Sequence, residues 1–144
     1  MIRVKTLAGV AVAAAILLAS AGALAETATK LTGTPGETQT GLAAYYAKRF
    51  QGRKTASGQR FDNGALTTAH QTLPFGTMVR VTNLKNNKSV VLRVNDRGPT
   101  QPKRIVDVSR RAAKELGFLR SGLVEVKLEV VEQAKPKSKA KSKT

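Results

Sequence analysis

The chain has 144 residues, with 25 Lys+Arg against 9 Asp+Glu, a formal net charge of +16 and no cysteine. That length holds one small domain, and the missing cysteine excludes a disulfide framework, a zinc–cysteine cluster and a thiol nucleophile. His70 is the only histidine, so neither a metal site nor any other cofactor is expected.

Such a charge suggests a nucleic-acid binder, but the N-terminal segment argues otherwise. Arg3 and Lys5 begin residues 1–25, an apolar run follows from Leu7 to Ala19, and Ala23-Leu24-Ala25 supplies small residues for cleavage. This is the layout of a secretory signal peptide. The run is short for a membrane span. The expected product is a soluble protein exported to the periplasm or extracellular envelope, with no stable membrane anchor and no nucleic-acid partner.

Residues 26–40 are rich in Thr and Gly and read as a flexible linker. Residues 41–132 hold all six aromatics and read as the folded domain, with 17 basic and 7 acidic side chains. Residues 133–144 carry five lysines and no acid, the composition of a disordered basic tail. Nonspecific contact between that tail and anionic envelope polymers is expected.

Within the domain, strands are predicted at Leu42–Ala47, Ala65–His70, Thr77–Leu84, Lys88–Asn95, Arg104–Val108 and Leu123–Val131. Lys85-Asn86-Asn87 suits a hairpin turn, because Asn tolerates positive φ. Ser109 is placed to cap one helix, Arg110–Leu116, which Gly117 ends. The pattern is mostly β: six short strands with one short helix, a composition that suits a small closed barrel.

Four segments hold residues able to do chemistry. Gly52 to Asp62 is a glycine-bounded loop ending in a carboxylate, although a plain surface turn with Asp62 as its cap accounts for the same residues. His70 follows an apolar strand, where a histidine is more often structural than catalytic. Asn95, Asp96 and Arg97 emerge together where a strand ends, either as a local turn or as a carboxylate tuned by a neighbouring cation. Asp107, between Val106 and Val108, needs a partner and reads as structural. Tyr45 and Tyr46 can stack on a sugar or belong to the core.

In this order, Gly41-Leu42-Ala43-Ala44-Tyr45-Tyr46, Thr55-Ala56-Ser57-Gly58, Phe61-Asp62, Leu66-Thr67-Thr68-Ala69-His70, Thr72-Leu73-Pro74-Phe75-Gly76-Thr77, Val79 to Leu84, Val94-Asn95-Asp96-Arg97-Gly98-Pro99 and Arg104 to Ser109 resemble the rare lipoprotein A family of bacterial envelope proteins. The resemblance covers essentially the whole domain. It implies a six-stranded double-psi β-barrel. It also implies endolytic lytic transglycosylase activity on peptidoglycan glycan strands, with a preference for peptide-free strands.

By the same resemblance, Asp96 takes the place of the catalytic aspartate and His70 that of the functional histidine. The family's glutamate position holds Gln59, whose amide cannot ionise. On this basis Asp96 is the expected general acid/base, and His70 orients it or contacts substrate. Gln59, Asp62, Arg97 and Asn95 are the expected substrate-binding residues. Many relatives also carry a lipoprotein cysteine and a C-terminal sporulation-related repeat, and neither follows the pattern here. The competing expectation is a non-catalytic, expansin-like peptidoglycan-binding barrel, because Gln59 replaces the glutamate.

Overall fold

A computed structural model describes residues 30–135. The expected leader and most of the basic tail lie outside the described residues.

Six strands close into a barrel. They are β1 (Thr38–Tyr45), β2 (Thr67–His70), β3 (Met78–Asn83), β4 (Ser89–Asp96), β5 (Arg104–Val108) and β6 (Val124–Glu132). The order around the barrel is β1-β5-β2-β4-β3-β6. The β1–β5 and β2–β4 pairs are parallel and the other four antiparallel. Closure leaves no strand edge without a partner. The single α-helix among the described residues, α1 (Arg110–Leu116), follows β5.

The alternating apolar residues make the core. Along β6, Val124, Val126, Leu128 and Val130 are buried while Glu125 and Lys127 are exposed. Val79 and Val81 from β3 and Leu92 and Val94 from β4 join them. Helix α1 begins where the Ser109 hydroxyl accepts the Ala112 N–H, and it ends at Gly117, which takes φ 79°. Asn87 in the β3–β4 turn also takes positive φ, at 63°.

The strand β1 begins at Thr38, inside the stretch that composition reads as a linker. Its first residue pairs with Glu129 of β6. The residues before it are also held. The Glu37 carboxylate accepts N–H bonds from Thr32, Gly33 and Thr34, and Leu31 is buried. Small polar residues are flexible only when their backbone donors are free, and here one carboxylate takes three of them.

Three ladders carry a register shift, one of them between β3 and β6, where Met78 pairs with Glu132 and Val79 with Val130; the other two lie in the barrel's parallel pairs. Thr68 pairs with Val94 and Ala69 with Asp96, so Asn95 is skipped. Leu42 pairs with Arg104 and Ala43 with Val106, so Ile105 is skipped. Such insertions re-aim the side chains beside them.

A Cβ added at Gly41 would lie 2.6 Å from Ile105 Cγ2 and 3.1 Å from the Lys103 carbonyl. The second contact is backbone and cannot give way cheaply. Gly41→Ala is therefore expected to cost about 1–3 kcal/mol of stability, read as a lower midpoint in urea unfolding with an unchanged m value.

Candidate functional site

The site grows out of the short central strand. All four residues of β2 are buried, and Ala69 pairs with Asp96 on one side and Asp107 on the other. Two carboxylate-bearing residues thus flank one alanine at the barrel rim.

Asp96 is held from three segments. Its Oδ2 accepts the Tyr46 hydroxyl at 2.6 Å. Its Oδ1 accepts the backbone N–H of Ala56 at 2.8 Å and of Arg97 at 2.9 Å. Two donors use the lone-pair positions of Oδ1, whereas Oδ2 keeps one position open. The oxygen able to exchange a proton with a ligand is therefore Oδ2.

Tyr46 is itself fixed by packing. Its ring stacks on Phe61 with centroids 4.1 Å apart and meets Phe50 edge-on. Burial, then the bond to Asp96 and its negative charge, pushes the phenol far above the ordinary tyrosine range. The hydroxyl stays protonated and donates.

Asp96 and Tyr46 line a cavity of about 620 Å³. Arg49, Arg53, Lys54, Arg97 and Arg104 also line it, against the carboxylates of Asp96 and Asp107. Arg104 pairs with Asp107, which gives the latter the partner its apolar neighbours require. Arg49 and Arg53 both pack on the Phe50 ring, 4.9 and 5.2 Å from its centre. Among the described residues neither they nor Lys54 has a carboxylate within ion-pair distance. The cavity is thus cationic, with aromatic walls. No group of three metal-ligating side chains occurs among the described residues.

The other expected site residues separate. Asn95, the skipped residue of the bulge, is 5% exposed; its Nδ2 reaches Gln59 Oε1 at 3.4 Å, while its Oδ1 has no partner. Gln59 and Asn95 line a second cavity, of about 260 Å³, and not the one that Asp96 lines. Arg97 lines the first cavity, yet its guanidinium lies 4.1 Å from the centre of Phe75 and bonds the His70 carbonyl. It contacts Asp96 through its backbone N–H.

Two of the expected residues stand apart from both cavities. Asp62 does not line either of these cavities; its Oδ1 accepts the Gly64 N–H at 2.8 Å and closes a turn, as a short carboxylate two residues before a free amide does. The His70 ring makes no hydrogen bond to Asp96 and lines neither of the two cavities. It is 2% exposed. Its Nδ1 accepts the N–H groups of Thr72 and Leu73, both at 3.1 Å, and its Nε2 lies 2.8 Å from Gln39 Oε1. That pattern assigns the proton to Nε2. Burial, then the nearby Arg97 charge, lowers the imidazole pKa from 6.5 to about 4. The residue that does orient Asp96 is Tyr46, whose sequence signal was only its place beside Tyr45 at the end of a strand.

The family described as lytic transglycolase matches residues 38–128. A Neisseria meningitidis serogroup B protein named endolytic peptidoglycan transglycosylase RlpA is 56% identical over 94 residues, covering 65% of this chain and 39% of that protein. A Synechocystis protein named probable endolytic peptidoglycan transglycosylase RlpA is 52% identical over 92 residues, covering 64% and 29%. The matched part therefore spans well under half the length of these relatives. Among solved structures, the Streptomyces papain inhibitor superposes with a TM-score of 0.56 at 24% identity, covering 68% of this chain and 97% of its own. The Clavibacter michiganensis expansin does so at 0.53 and 21%, covering 69% and 53%. Both share the fold, the six-stranded double-psi β-barrel.

The buried neutral His70 makes stability depend on pH. Between 6.5 and about 4 the unfolded chain binds a proton that the folded chain refuses. Stability is thus expected to fall as pH drops through that window, by at most about 1.4 kcal/mol per pH unit. His70→Asn keeps an acceptor for the Thr72 and Leu73 amides and removes the titration. Urea unfolding of both proteins from pH 7 to 4 should show the gap between them narrowing towards acid.

Proposed function

Because the chain belongs to the lytic transglycolase family, we propose that it cuts peptidoglycan glycan strands without water, with Asp96 as the proton carrier. The observation that carries this reading is the Asp96 carboxylate in a cavity wall, held by donors from three segments with one Oδ2 position open. Relatives at about half identity bear the name of that activity.

The chemistry needs one group that gives and then takes a proton. Protonated Asp96 donates to the glycosidic oxygen as its bond to the muramyl C1 breaks. The muramyl C6 hydroxyl closes on C1 and forms the 1,6-anhydro ring. Its proton returns to Asp96, so the carboxyl group is regenerated and no water is consumed. Tyr46 keeps the carboxyl plane aimed throughout and transfers nothing.

A preference for peptide-free strands fits the same cavity. Removing the peptide leaves a free lactyl carboxylate on each muramyl sugar. Arg49, Arg53 and Lys54 are cations without acidic partners among the described residues. Their attraction to that carboxylate is long-ranged and weakened by salt. Export to the envelope, directed by residues 1–25, would put the protein where this polymer is found.

A second reading, a barrel that binds glycan and does not cut it, rests on Gln59. An expansin variant of the same fold has been solved in complex with cellohexaose.

Digestion of purified peptide-free glycan, with mass spectrometry of the products, separates the two readings. Wild type is expected to release anhydro-muropeptides, and Asp96→Asn to lose at least about a hundredfold in rate. Equal product from Asp96→Asn, or none from wild type, sinks the catalytic reading; a Gln59→Glu variant that gains activity from an inactive wild type supports the second.

Tyr46→Phe leaves Oδ2 without its orienting donor. It is expected to lower kcat about tenfold, the scale of one charge-assisted hydrogen bond, with KM nearly unchanged and a shifted pH profile. An unchanged profile and rate would remove Tyr46 from the mechanism.

A further inference from the structure

The end of β4 divides two cavities. Asp96 lines the larger one and Asn95, its skipped neighbour in the bulge, lines the smaller. The loop that begins at Gly52 repeats the division. Lys54 and Thr55 line the larger cavity, Ser57 and Gln59 the smaller, and between them the Ala56 N–H bonds Asp96 Oδ1. Asp96 and Asn95, adjacent in the chain, thus line different cavities.

The smaller cavity has features of its own. Phe75 lies in its wall and is 37% exposed. Such a ring presents an apolar face on which a sugar ring can pack. The ring is also pinned, since the Arg97 guanidinium lies 4.1 Å from its centre and bonds the His70 carbonyl. Beside it, Gln59 is exposed, and its one side-chain bond is the long contact from Asn95 Nδ2. Its amide keeps two N–H donors and a lone pair free. The volume, about 260 Å³, suits one sugar ring and not a drug-sized ligand.

We propose that this second cavity is a subsite for one N-acetylhexosamine ring of a β-1,4-linked strand, with the ring on Phe75 and the acetamido group against Gln59. The subsite rests on the reading above, in which the strand crosses Asp96, and it takes the sugar on the other side of the cut bond. An acetamido group carries one donor and one acceptor. A glutamine side chain answers both, whereas a carboxylate would answer only the N–H. Gln59 is then a binding residue suited to its ligand, and the charge of Asp96 is left to the neighbouring cavity. Arg93 and Lys135 also line the subsite; Lys135 is paired with Glu132, whereas Arg93 has no carboxylate within ion-pair distance among the described residues and can meet a sugar hydroxyl.

The test compares two hexamers with the same β-1,4 backbone, one of N-acetylglucosamine and one of glucose, titrated calorimetrically into the full chain. The N-acetylglucosamine hexamer is expected to bind more tightly. Phe75→Ala should weaken it by about fivefold to tenfold, the scale of one aromatic contact, and Phe75→Trp should restore it. Gln59→Ala should bring the two hexamers to equal affinity. Should Phe75→Ala fail to fold, Phe75→Leu keeps apolar bulk without an aromatic face and is expected to show the same loss. Equal binding of the two hexamers by wild type, or unchanged binding in both Phe75→Leu and Gln59→Ala, overturns the subsite. Binding is read without cleavage, so the two proposals fail separately. A wild type that binds through Phe75 and makes no anhydro ends contradicts only the catalytic reading. One that cuts glycan while these variants bind normally contradicts only the subsite.

Discussion

Barrel closure through β2 is the constraint on which the site depends. That strand has four residues, all buried, and is paired in parallel with β4 and antiparallel with β5. Its backbone groups have no other partners available in a dry interior, so the ladders on both sides must form together. Once they do, Ala69 sets Asp96 and Asp107 on either side of itself. The two carboxylates are thus placed by main-chain registers, which side-chain changes nearby disturb little. The bulge at Asn95 then turns the end of β4 so that Asp96 meets the larger cavity and Asn95 the smaller.

Around that frame the side chains act in relay. The His70 ring accepts the Thr72 and Leu73 amides and so shapes the turn that leads to Phe75. The His70 carbonyl and the Phe75 ring together hold the Arg97 guanidinium. Arg97 in turn gives its backbone N–H to Asp96. His70 therefore bears on the carboxylate through a chain of contacts, and a neutral ring with Nδ1 unprotonated is the form that this chain needs. A protonated Nδ1 would face two N–H donors and could accept neither.

The fold was largely legible because its signals are local. The alternation of Val124, Val126, Leu128 and Val130 gives β6, and Ser109 with Gly117 brackets α1 at both ends. Beginning β1 at Thr38 was not legible, since Thr38 and Gln39 have no apolar pattern and are held by pairing with Glu129 and Leu128 far along the chain. The site divides in the same way. Asp96 stands out as a carboxylate where a β-rich run ends. Its partners do not, because the Tyr46 hydroxyl and the Ala56 N–H lie 50 and 40 residues away, and a backbone amide has no sequence signature at all. Asp62 and His70 carried the same kind of signal as Asp96, and only geometry separates a turn cap and a buried anchor from a group facing a cavity.

Charge pairing sorts the basic side chains by task. Arg80, Arg111 and Lys135 meet Glu129, Glu115 and Glu132 on exposed surface, where such pairs contribute little. None of the three lines the larger cavity. Arg49, Arg53 and Lys54 do line it, and among the described residues no carboxylate balances them. If high net charge served only solubility, acids would be as free to neutralise these three as they are to neutralise the others. Leaving them unbalanced beside Asp96 raises the local positive potential, and that potential favours an anionic polymer over a neutral one. The surplus of basic residues in the sequence is therefore not evenly spent: part of it is cancelled on the outer face of the barrel, and part is kept at the cavity that holds the proposed proton carrier.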